Sequence, residues 1–356
     1  MNNWSIFSKY RNQIFGLASL SIIVYHLTKD IETYHIHGTW ATFSSVYQTW
    51  IGACGVDWFL FLSGMGLFFS LHKNPNIISF FKRRIHRLLI PYILIGITYW
   101  ILYDLVLNHS SLLAFMSDVC FVTIFTPTHH IQFWYVCFVI VAYCMYPLLF
   151  SLCNGKHESR KLWIGFGLIL SSIYVLSQYN YYMYYHTHVF FTRFMIFYIG
   201  CICAHKIYQK ESICTFDSLL FTLGIPLKIL YVTLPLVYSP ILYRFVECFW
   251  ALSLLYLIIY FMEHLKTSQF LEFCGKWSLE IYMLHISYRS LFKILIYDQT
   301  QIPFVGVYAL VIACTFLSIP IYNEIQTQLF HIYRKGKMYL SNYLQYIQKL
   351  LNPISY

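Results

Sequence analysis

The chain has 356 residues, of which 59% are hydrophobic and 11% charged, and its formal net charge is +10. A soluble domain averages roughly half apolar and a quarter charged residues, so this composition excludes an ordinary soluble enzyme and favours an integral membrane protein. The positive charge is explained by membrane orientation rather than by nucleic acid, and no nucleic-acid partner is expected.

Apolar stretches of about 20 residues, long enough to cross the hydrocarbon core as helices, recur along nearly the whole chain. Between them lies no polar block long enough to fold by itself. The sequence therefore predicts an all-α fold, a single polytopic bundle of about ten transmembrane helices. The predicted spans are 13–27, 46–71, 88–106, 132–152, 161–178, 191–208, 216–237, 241–262, 277–297 and 303–324.

The semi-apolar segment 112–126 decides the orientation of the bundle. If it does not span, the loops that share one side, with Lys161 at a helix end, carry 18 of the 24 Lys and Arg residues. That side is cytoplasmic by the positive-inside rule. A span at 112–126 would instead put Lys156, Arg160 and Lys161 outside. We therefore predict that 107–131 is external, as a re-entrant or surface segment, and that both termini are cytoplasmic.

The C-terminal piece 325–356 carries four Lys and Arg residues among Tyr, Leu and Ile. This pattern predicts a basic amphipathic helix on an anionic membrane leaflet. The chain is accordingly divided into one membrane domain, 1–324, and a basic cytoplasmic tail, 325–356. The internal repeats and inverted symmetry of many transporters are not recognisable in the sequence.

Ionisable side chains inside the predicted spans are costly in lipid and usually face a bundle interior or a wet cavity. Arg244 and Glu247 are three residues apart on one helix and can pair with each other. Lys228 and Lys293 can extend toward the membrane surface, so these four are interpreted as structural. The full set is His26, Asp57, Arg193, Lys228, Arg244, Glu247, Glu280, His285, Arg289 and Lys293.

His26 lies near the outer end of the first span, with Asp30 one turn further on. On a helix, the Asp30 carboxylate can accept the second N–H of the imidazole and hold the ring as a general base. A packing or hydrogen-bonded histidine is the alternative that this feature alone leaves open.

Histidines of the outer loops occur in three close pairs, His35/His37, His129/His130 and His186/His188. A carboxylate or cysteine that would complete a ligand set is missing beside them, so no metal site is predicted.

The strongest charged motif precedes the third span and reads Lys82-Arg83-Arg84-Ile85-His86-Arg87, followed by Pro91. It serves as an orientation signal. Arg84 and Arg87 are also three residues apart on one helical face, and their planar forks suit phosphate oxygens. The motif therefore predicts a phosphorylated cytosolic ligand.

Several segments together resemble the acyltransferase 3 family of membrane-bound bacterial acyltransferases, and they occur in the family's order. The first ends in the family's histidine, and the third has the family's Arg-x-x-Arg and proline. The segments are Phe15-Gly16-Leu17-Ala18 through Val24-Tyr25-His26; Gly55-Val56-Asp57-Trp58-Phe59-Leu60-Phe61-Leu62-Ser63-Gly64; Phe81-Lys82-Arg83-Arg84-Ile85-His86-Arg87 with Pro91; Phe133-Trp134-Tyr135 with Tyr143 and Pro147; Arg193, Phe197 and Gly200; and Gly275, Ser278-Leu279-Glu280-Ile281-Tyr282 with His285.

The chain departs from the family at one position. Many members have an arginine eleven residues before the histidine, and here that residue is Phe15. The nearest arginine, Arg11, is one turn earlier and about 22 Å from His26 along a helix axis. Arg11 is therefore expected at the cytoplasmic mouth of a donor channel rather than at the reacting centre.

The resemblance implies an O-acyltransferase of the bacterial inner membrane. It would move an acyl group, most often acetyl, from cytosolic acyl-CoA to a hydroxyl of an outward-facing lipid-linked or polymeric glycan, without a permanently bound cofactor. Arg84 and Arg87, with Arg83 and Arg11, would bind CoA, and His26 would be the general base. The pore-lining candidates, each with a rival role in helix packing, are Asp57, Ser63, Arg193, Glu280 and His285.

Two other classes of function stay open at the level of sequence. Buried charges and wet cavities also suit a transporter or flippase for a lipid-linked sugar. The phenylalanine at position 15 raises the alternative of a non-catalytic scaffold in a glycan-assembly complex.

Overall fold

The computed structural model of the chain describes residues 4–52, 54–126, 132–179, 192–234, 240–264, 268–299 and 302–351. All regular elements assigned in these ranges are helices, as predicted. In chain order they are α1 (Ile6–Lys9), α2 (Arg11–Thr33), α3 (Thr39–Trp50), α4 (Cys54–Lys73), α5 (Ile77–Pro91, continued to Leu107), α6 (Leu112–Val119), a 3₁₀ turn (Val122–Phe125), α7 (Trp134–Cys153), α8 (Glu158–Tyr179), α9 (Phe194–Tyr208), α10 (Thr215–Thr222), α11 (Gly224–Thr233), α12 (Pro240–His264), α13 (Gln269–Lys276), α14 (Ser278–Phe292, continued to Tyr297) and α15 (Phe304–Leu351).

Seven helical stretches of the described chain are long and apolar enough to cross a membrane. The predicted spans 161–178, 191–208 and 277–297 coincide with helices α8, α9 and α14, which are not among these seven. The 15 residues of α9 reach about 22 Å, which is short of the hydrocarbon core. The number ten therefore stays a prediction. The seven apolar stretches are Arg11–Thr33, Thr39–Lys73 (which contains both α3 and α4), Ile77–Leu107, Trp134–Cys153, Thr215–Thr233, Leu242–His264 and Phe304–Tyr333.

The predicted span 46–71 is two helices rather than one. Helix α3 ends at Trp50 and α4 begins at Cys54. Between them Gly52 has a φ of +49°, a left-handed conformation that favours glycine. Helix α3 packs against α2, where Ser44 Oγ and Gln48 Nε2 both donate to the Thr28 carbonyl oxygen. A hydropathy profile detects the apolar stretch but not this left-handed turn.

Helix α5 begins earlier than the predicted third span. Asn76 caps it, and its side chain accepts a hydrogen bond from the Ser79 amide at 2.8 Å. Arg84 and Arg87 therefore lie on a helix and not in a loop. After Pro91, which lacks an N–H, the helix widens into π turns before it ends at Leu107.

The ambiguous segment 112–126 contains helix α6 and the short 3₁₀ turn that follows it. Eight residues of helix reach about 12 Å, so neither element crosses a bilayer. The Ser111 side chain caps α6 by accepting from the Ala114 amide at 3.2 Å.

Glycines let pairs of helices touch backbone to backbone. A Cβ on Gly200 of α9 would collide with the carbonyl oxygen of Phe61 in α4, and one on Gly64 would collide with the carbonyl oxygen of Phe197. Close approach at small residues is how membrane helices gain packing energy without a hydrophobic driving force. Gly16 of α2 meets α13 in the same way.

The chain forms two compact units, Met1–Leu291 and Phe292–Tyr356. The second unit holds α15, one helix of 48 residues. The first unit contains every candidate site residue. The predicted division of the chain at residue 324 stays a prediction.

Candidate active site

Helices α2 and α14 position five of the eleven candidate residues, including both histidines, and they meet at three successive levels. Phe15 of α2 and Leu279 of α14 line one cavity. Further along both helices the rings of His26 and His285 stack, with centroids 5.3 Å apart and planes 12° from parallel. One turn further, Arg289 donates to Asp30. Because the contacts follow the same order in both helices, the helices run in the same direction.

The cavity holds three of the four predicted donor-binding arginines. Arg11, Arg84 and Arg87 come from α2 and α5 and line the same space of about 550 Å³, which includes the part that is open to solvent. Its other polar groups include Ser63, which was predicted to line a pore. The remaining lining is largely aromatic and aliphatic, namely Phe15, Phe59, Gly66, Leu67, Leu88, Tyr135, Val139, Tyr143, Ser278 and Leu279.

The fourth arginine, Arg83, lies outside this lining and is exposed. Successive residues on a helix turn by about 100°, so Arg84 and Arg87 share a face while Arg83 points away from it. The sequence motif alone did not separate these three side chains.

Aromatic rings and a backbone carbonyl hold two of the cavity arginines, Arg11 and Arg84. The Arg11 guanidinium lies 4.9 Å from the centroid of the Phe15 ring, a cation–π distance. Arg84 lies 5.7 Å from the Tyr143 ring and donates from Nη2 to the Gly66 carbonyl oxygen at 2.8 Å. Its Nε is buried and has no hydrogen-bond partner among the described residues.

These three guanidinium groups are ion-paired with no described carboxylate. Within the described ranges, no Asp or Glu oxygen lies within 4 Å of their nitrogens. All Asp and Glu residues of the chain fall inside those ranges, so no acid is hidden in the remainder. The cavity therefore carries positive charge together with unused hydrogen-bond donors, which suits an anionic ligand.

The departure at position 15 has a geometric counterpart. Phe15 is buried, and the guanidinium of Arg11, one turn earlier, reaches over its ring. A charge therefore enters the cavity close to the position where many family members carry arginine. Gly66 leaves room for it, since a Cβ at that position would lie 3.4 Å from Arg11 Nη2.

His26 is held by stacking and not by a hydrogen bond to Asp30. Its Nδ1 is buried and has no hydrogen-bond partner among the described residues. His285 covers one face of its ring and is itself fully buried, and the Tyr25 ring lies 5.7 Å away. A neutral imidazole nitrogen that is free of protein partners can accept a proton from a substrate.

The predicted role of Asp30 as the group that orients His26 is not realised in the structure. Both carboxylate oxygens of Asp30 are taken by Arg289, with Nε 2.6 Å from Oδ2 and Nη2 on Oδ1. A bidentate charge-assisted pair is stronger than one hydrogen bond from a neutral imidazole. Asp30 thus joins α2 to α14 and does not hold the histidine.

Asp57 and Arg193, two of the pore-lining candidates, belong to a buried ionic cluster. Arg193 Nη1 lies 2.7 Å from Asp57 Oδ1, and Arg244 Nη2 lies 3.1 Å from the same oxygen. Lys228 bonds to Glu247. The interpretation of Arg244 and Glu247 as a pair within one helix is therefore wrong, because each has a closer partner on another helix.

Of the other three candidates, His285 stacks on His26, Ser63 lines the cavity and Glu280 adjoins its lining. Ser63 Oγ is 3.4 Å from the Tyr135 hydroxyl in the cavity wall. Glu280 is buried next to Leu279, and Arg87 is near enough to act on its charge. Of the outer-loop histidine pairs, His35/His37 is exposed, whereas the other two pairs lie outside the described residues.

Sequence reasoning missed a second buried cluster and most of the cavity wall. His72 Nε2 lies 2.8 Å from Glu158 Oε1, and His205 Nε2 lies 3.6 Å from Glu158 Oε2. These residues are far apart in sequence, so spacing carried no signal. Tyr135 and Tyr143 of the wall, by contrast, stand in a segment already matched by resemblance.

Comparison with known proteins gives one result. The sequence model of the acyltransferase 3 family, described as an acyltransferase domain, matches residues 16–323. The search of curated proteins and the search of solved structures each give no match. The family match begins within α2, so it includes both histidines, Arg84, Arg87 and the buried cluster, and leaves out Arg11 and Phe15.

Proposed function

Because this chain belongs to the acyltransferase 3 family, we propose that it transfers an acetyl or similar acyl group from cytosolic acyl-CoA to a hydroxyl of an outward-facing glycan. Membership of the family supports a membrane acyltransferase in general. One observation carries the more specific proposal. The arginine cavity and His26 lie at successive levels of the same two parallel helices, α2 and α14.

The arginine cavity is the proposed donor site. CoA is a polyanion whose phosphates need several cationic donors, and Arg11, Arg84 and Arg87 supply them without a competing carboxylate. Phe15 and Phe59 are among the aromatic rings of the lining, which suits the adenine and the apolar part of the arm. The lining runs to Phe15, from which His26 is about 16 Å along α2. A long flexible arm such as pantetheine suits this separation.

His26 is the proposed general base. As the acceptor oxygen attacks the thioester carbonyl carbon, an imidazole nitrogen takes the hydroxyl proton. The carbon–sulfur bond then breaks, and the proton passes from the imidazolium to the departing CoA sulfur. The reaction needs no protein nucleophile. His285 stacks on His26 and limits the movement of its ring, which supports a fixed angle of approach.

The charge distribution supports the direction of transfer. By the positive-inside rule, the loops rich in Lys and Arg predict that the N-terminal end of α5 is cytoplasmic, so the donor would come from the cytosol of a bacterial cell and the acceptor from the opposite side of its inner membrane. The expected partners are therefore acyl-CoA, a surface or lipid-linked glycan, and the surrounding lipids.

Radiolabelled acetyl-CoA tests this function. Membranes that contain the full chain are incubated with acetyl-labelled CoA, and label is measured in extracted lipid-linked and polymeric glycan. We expect label in a form that mild alkali releases, as for an O-acetyl ester. If no glycan is labelled while lipid-linked sugar crosses the membrane, the chain is a flippase. If neither event occurs although glycan assembly needs the chain, it is a scaffold.

A further inference from the structure

A buried cluster of five ionic side chains has one positive charge in excess. Asp57 accepts from Arg193 at 2.7 Å and from Arg244 at 3.1 Å, while Lys228 bonds separately to Glu247. All five side chains belong to residues that are more than nine-tenths buried. Three cations thus face two carboxylates.

No other acid of the chain balances this charge. Among the described residues, which include every Asp and Glu of the sequence, the carboxylates that act on the two arginines are Asp57 and Glu247. A buried charge without a partner is strongly destabilising. An arrangement that keeps such a charge is well suited to a bound anion.

The two arginines also keep unused donors. Nε of Arg193 and Nε of Arg244 are buried and have no hydrogen-bond partner in the described part of the chain. Buried N–H groups are nearly always paired in folded proteins. The Trp134 ring lies 5.2 Å from the Arg193 guanidinium and offsets part of its charge, but a ring face offers no oxygen to these N–H groups.

The cluster is linked to His26 through neighbouring residues. Gly55, two residues before Asp57, packs on Ser21 and Ile22 of α2, and Ile22 lies one turn before His26. Arg193 lies near the Tyr25 hydroxyl, and Tyr25 adjoins His26. Tyr25, Trp134 and Tyr243 next to the arginines are half-exposed, so the cluster lies close to the surface of the described chain.

We propose that Arg193 and Arg244 bind one oxyanion of the acceptor, a carboxylate or a phosphodiester, and so hold its neighbouring hydroxyl at His26. This inference rests on the proposed function and adds the chemical class of the acceptor. The oxyanion accepts hydrogen bonds from the two free Nε–H groups and neutralises the excess charge, while Asp57 keeps the two guanidinium groups in place. A neutral sugar can accept from these N–H groups but leaves the excess charge unbalanced.

Three small probes test the site by isothermal titration of the full chain in detergent without acyl-CoA. They are methyl glucuronide, which carries a carboxylate; glucose 1-(methyl phosphate), which carries a phosphodiester; and neutral methyl glucoside. We expect one of the two anions to bind and the neutral glycoside to bind at least ten-fold more weakly. The anion that binds identifies an acidic sugar or a phosphate-linked acceptor.

Variants separate this site from the catalytic step. His26→Ala is expected to bind the anion as the unaltered chain does. Arg193→Gln, which leaves the neutral pair of Asp57 and Arg244, is expected to bind it at least ten-fold more weakly. Arg160→Gln, at an exposed arginine, is the matched control.

Four outcomes overturn the proposal: equal binding of the neutral glycoside, unchanged binding in Arg193→Gln, chloride affinity equal to that of the organic anions, and binding by neither anion. Anion binding without transfer of acetyl label would contradict the proposed function and leave the anion site standing. Transfer to neutral glycans without anion binding would do the reverse.

Discussion

Arginines at the two ends of the paired helices α2 and α14 differ in whether they have a carboxylate partner. At one end Arg11, Arg84 and Arg87 line a cavity in which no described carboxylate lies within 4 Å of them. At the other end Arg289 donates to both oxygens of Asp30. The arginines at one end thus have no ion-pair partner, whereas the arginine at the other end is fully paired.

This difference separates structural arginines from arginines that are ready for a ligand. A paired arginine contributes to stability, because removing it leaves a buried carboxylate behind. An arginine held only by a ring or a carbonyl keeps its charge for something that is not part of the protein. Changing one arginine at a time tests this distinction.

The largest effect is expected between the two ends, at the histidine pair. His26→Ala should lower acyl transfer about 10²–10⁴-fold, since it removes the proposed base. Binding of acyl-CoA should be unchanged, because the arginine cavity is untouched. Initial rates of label transfer at equal protein levels measure this effect. His37→Ala, at an exposed histidine, is the control, and normal transfer by His26→Ala would refute the role of His26.

Breaking the paired end should cost stability. Arg289→Ala leaves Asp30 buried without its cation, and we expect a loss of about 3 kcal/mol in unfolding free energy. Thermal denaturation in detergent measures it. Lys29→Ala, on α2 next to Asp30, is the matched control. The pair of Lys29 with Glu32 is exposed and contributes under about 1 kcal/mol. Equal stability of the two variants would contradict the structural role of Arg289.

Changing the unpaired end should affect affinity alone. Arg11→Gln removes one of three cavity charges, so acyl-CoA should bind about 5–10-fold more weakly, equivalent to about 1–1.4 kcal/mol. Thermal stability should not fall, since no carboxylate loses a partner. Equilibrium binding of labelled acyl-CoA measures the change. The double variant Arg11→Gln with Phe15→Arg returns a charge to the cavity and should regain affinity, and a failure to do so would detach Arg11 from donor binding.

The smallest effect is expected at Arg83. This side chain carries the same charge as its neighbours but lies outside the cavity lining. Arg83→Gln should therefore change acyl-CoA affinity by less than about two-fold, because only long-range charge is lost. A decrease as large as that of Arg11→Gln would mean that net charge, rather than the geometry of the cavity, attracts the donor.

Local features were predictable from the sequence. The helical class followed from the length of the apolar stretches, and the shared face of Arg84 and Arg87 followed from their spacing. The split of the segment 46–71 at Gly52 was not predictable in this way, because the hydropathy signal is the same for one bent span and two helices.

Pairs between distant helices were beyond sequence reasoning. Asp30 and Arg289 are 259 residues apart, and Asp57 and Arg193 are 136 apart. Spacing along one helix suggests only near neighbours, such as Arg244 with Glu247 or His26 with Asp30. In both cases the carboxylate is bonded from another helix, Glu247 by Lys228 and Asp30 by the Arg289 fork.

Equilibrium binding of labelled acyl-CoA to the double variant Arg84→Ala with Arg87→Ala tests the central claim most directly. The account predicts affinity at least about 100-fold lower, because about 3 kcal/mol of charge-assisted hydrogen bonding is lost, with thermal stability no lower than that of the unaltered chain. Unchanged affinity would contradict it and reduce the motif to a signal for membrane orientation.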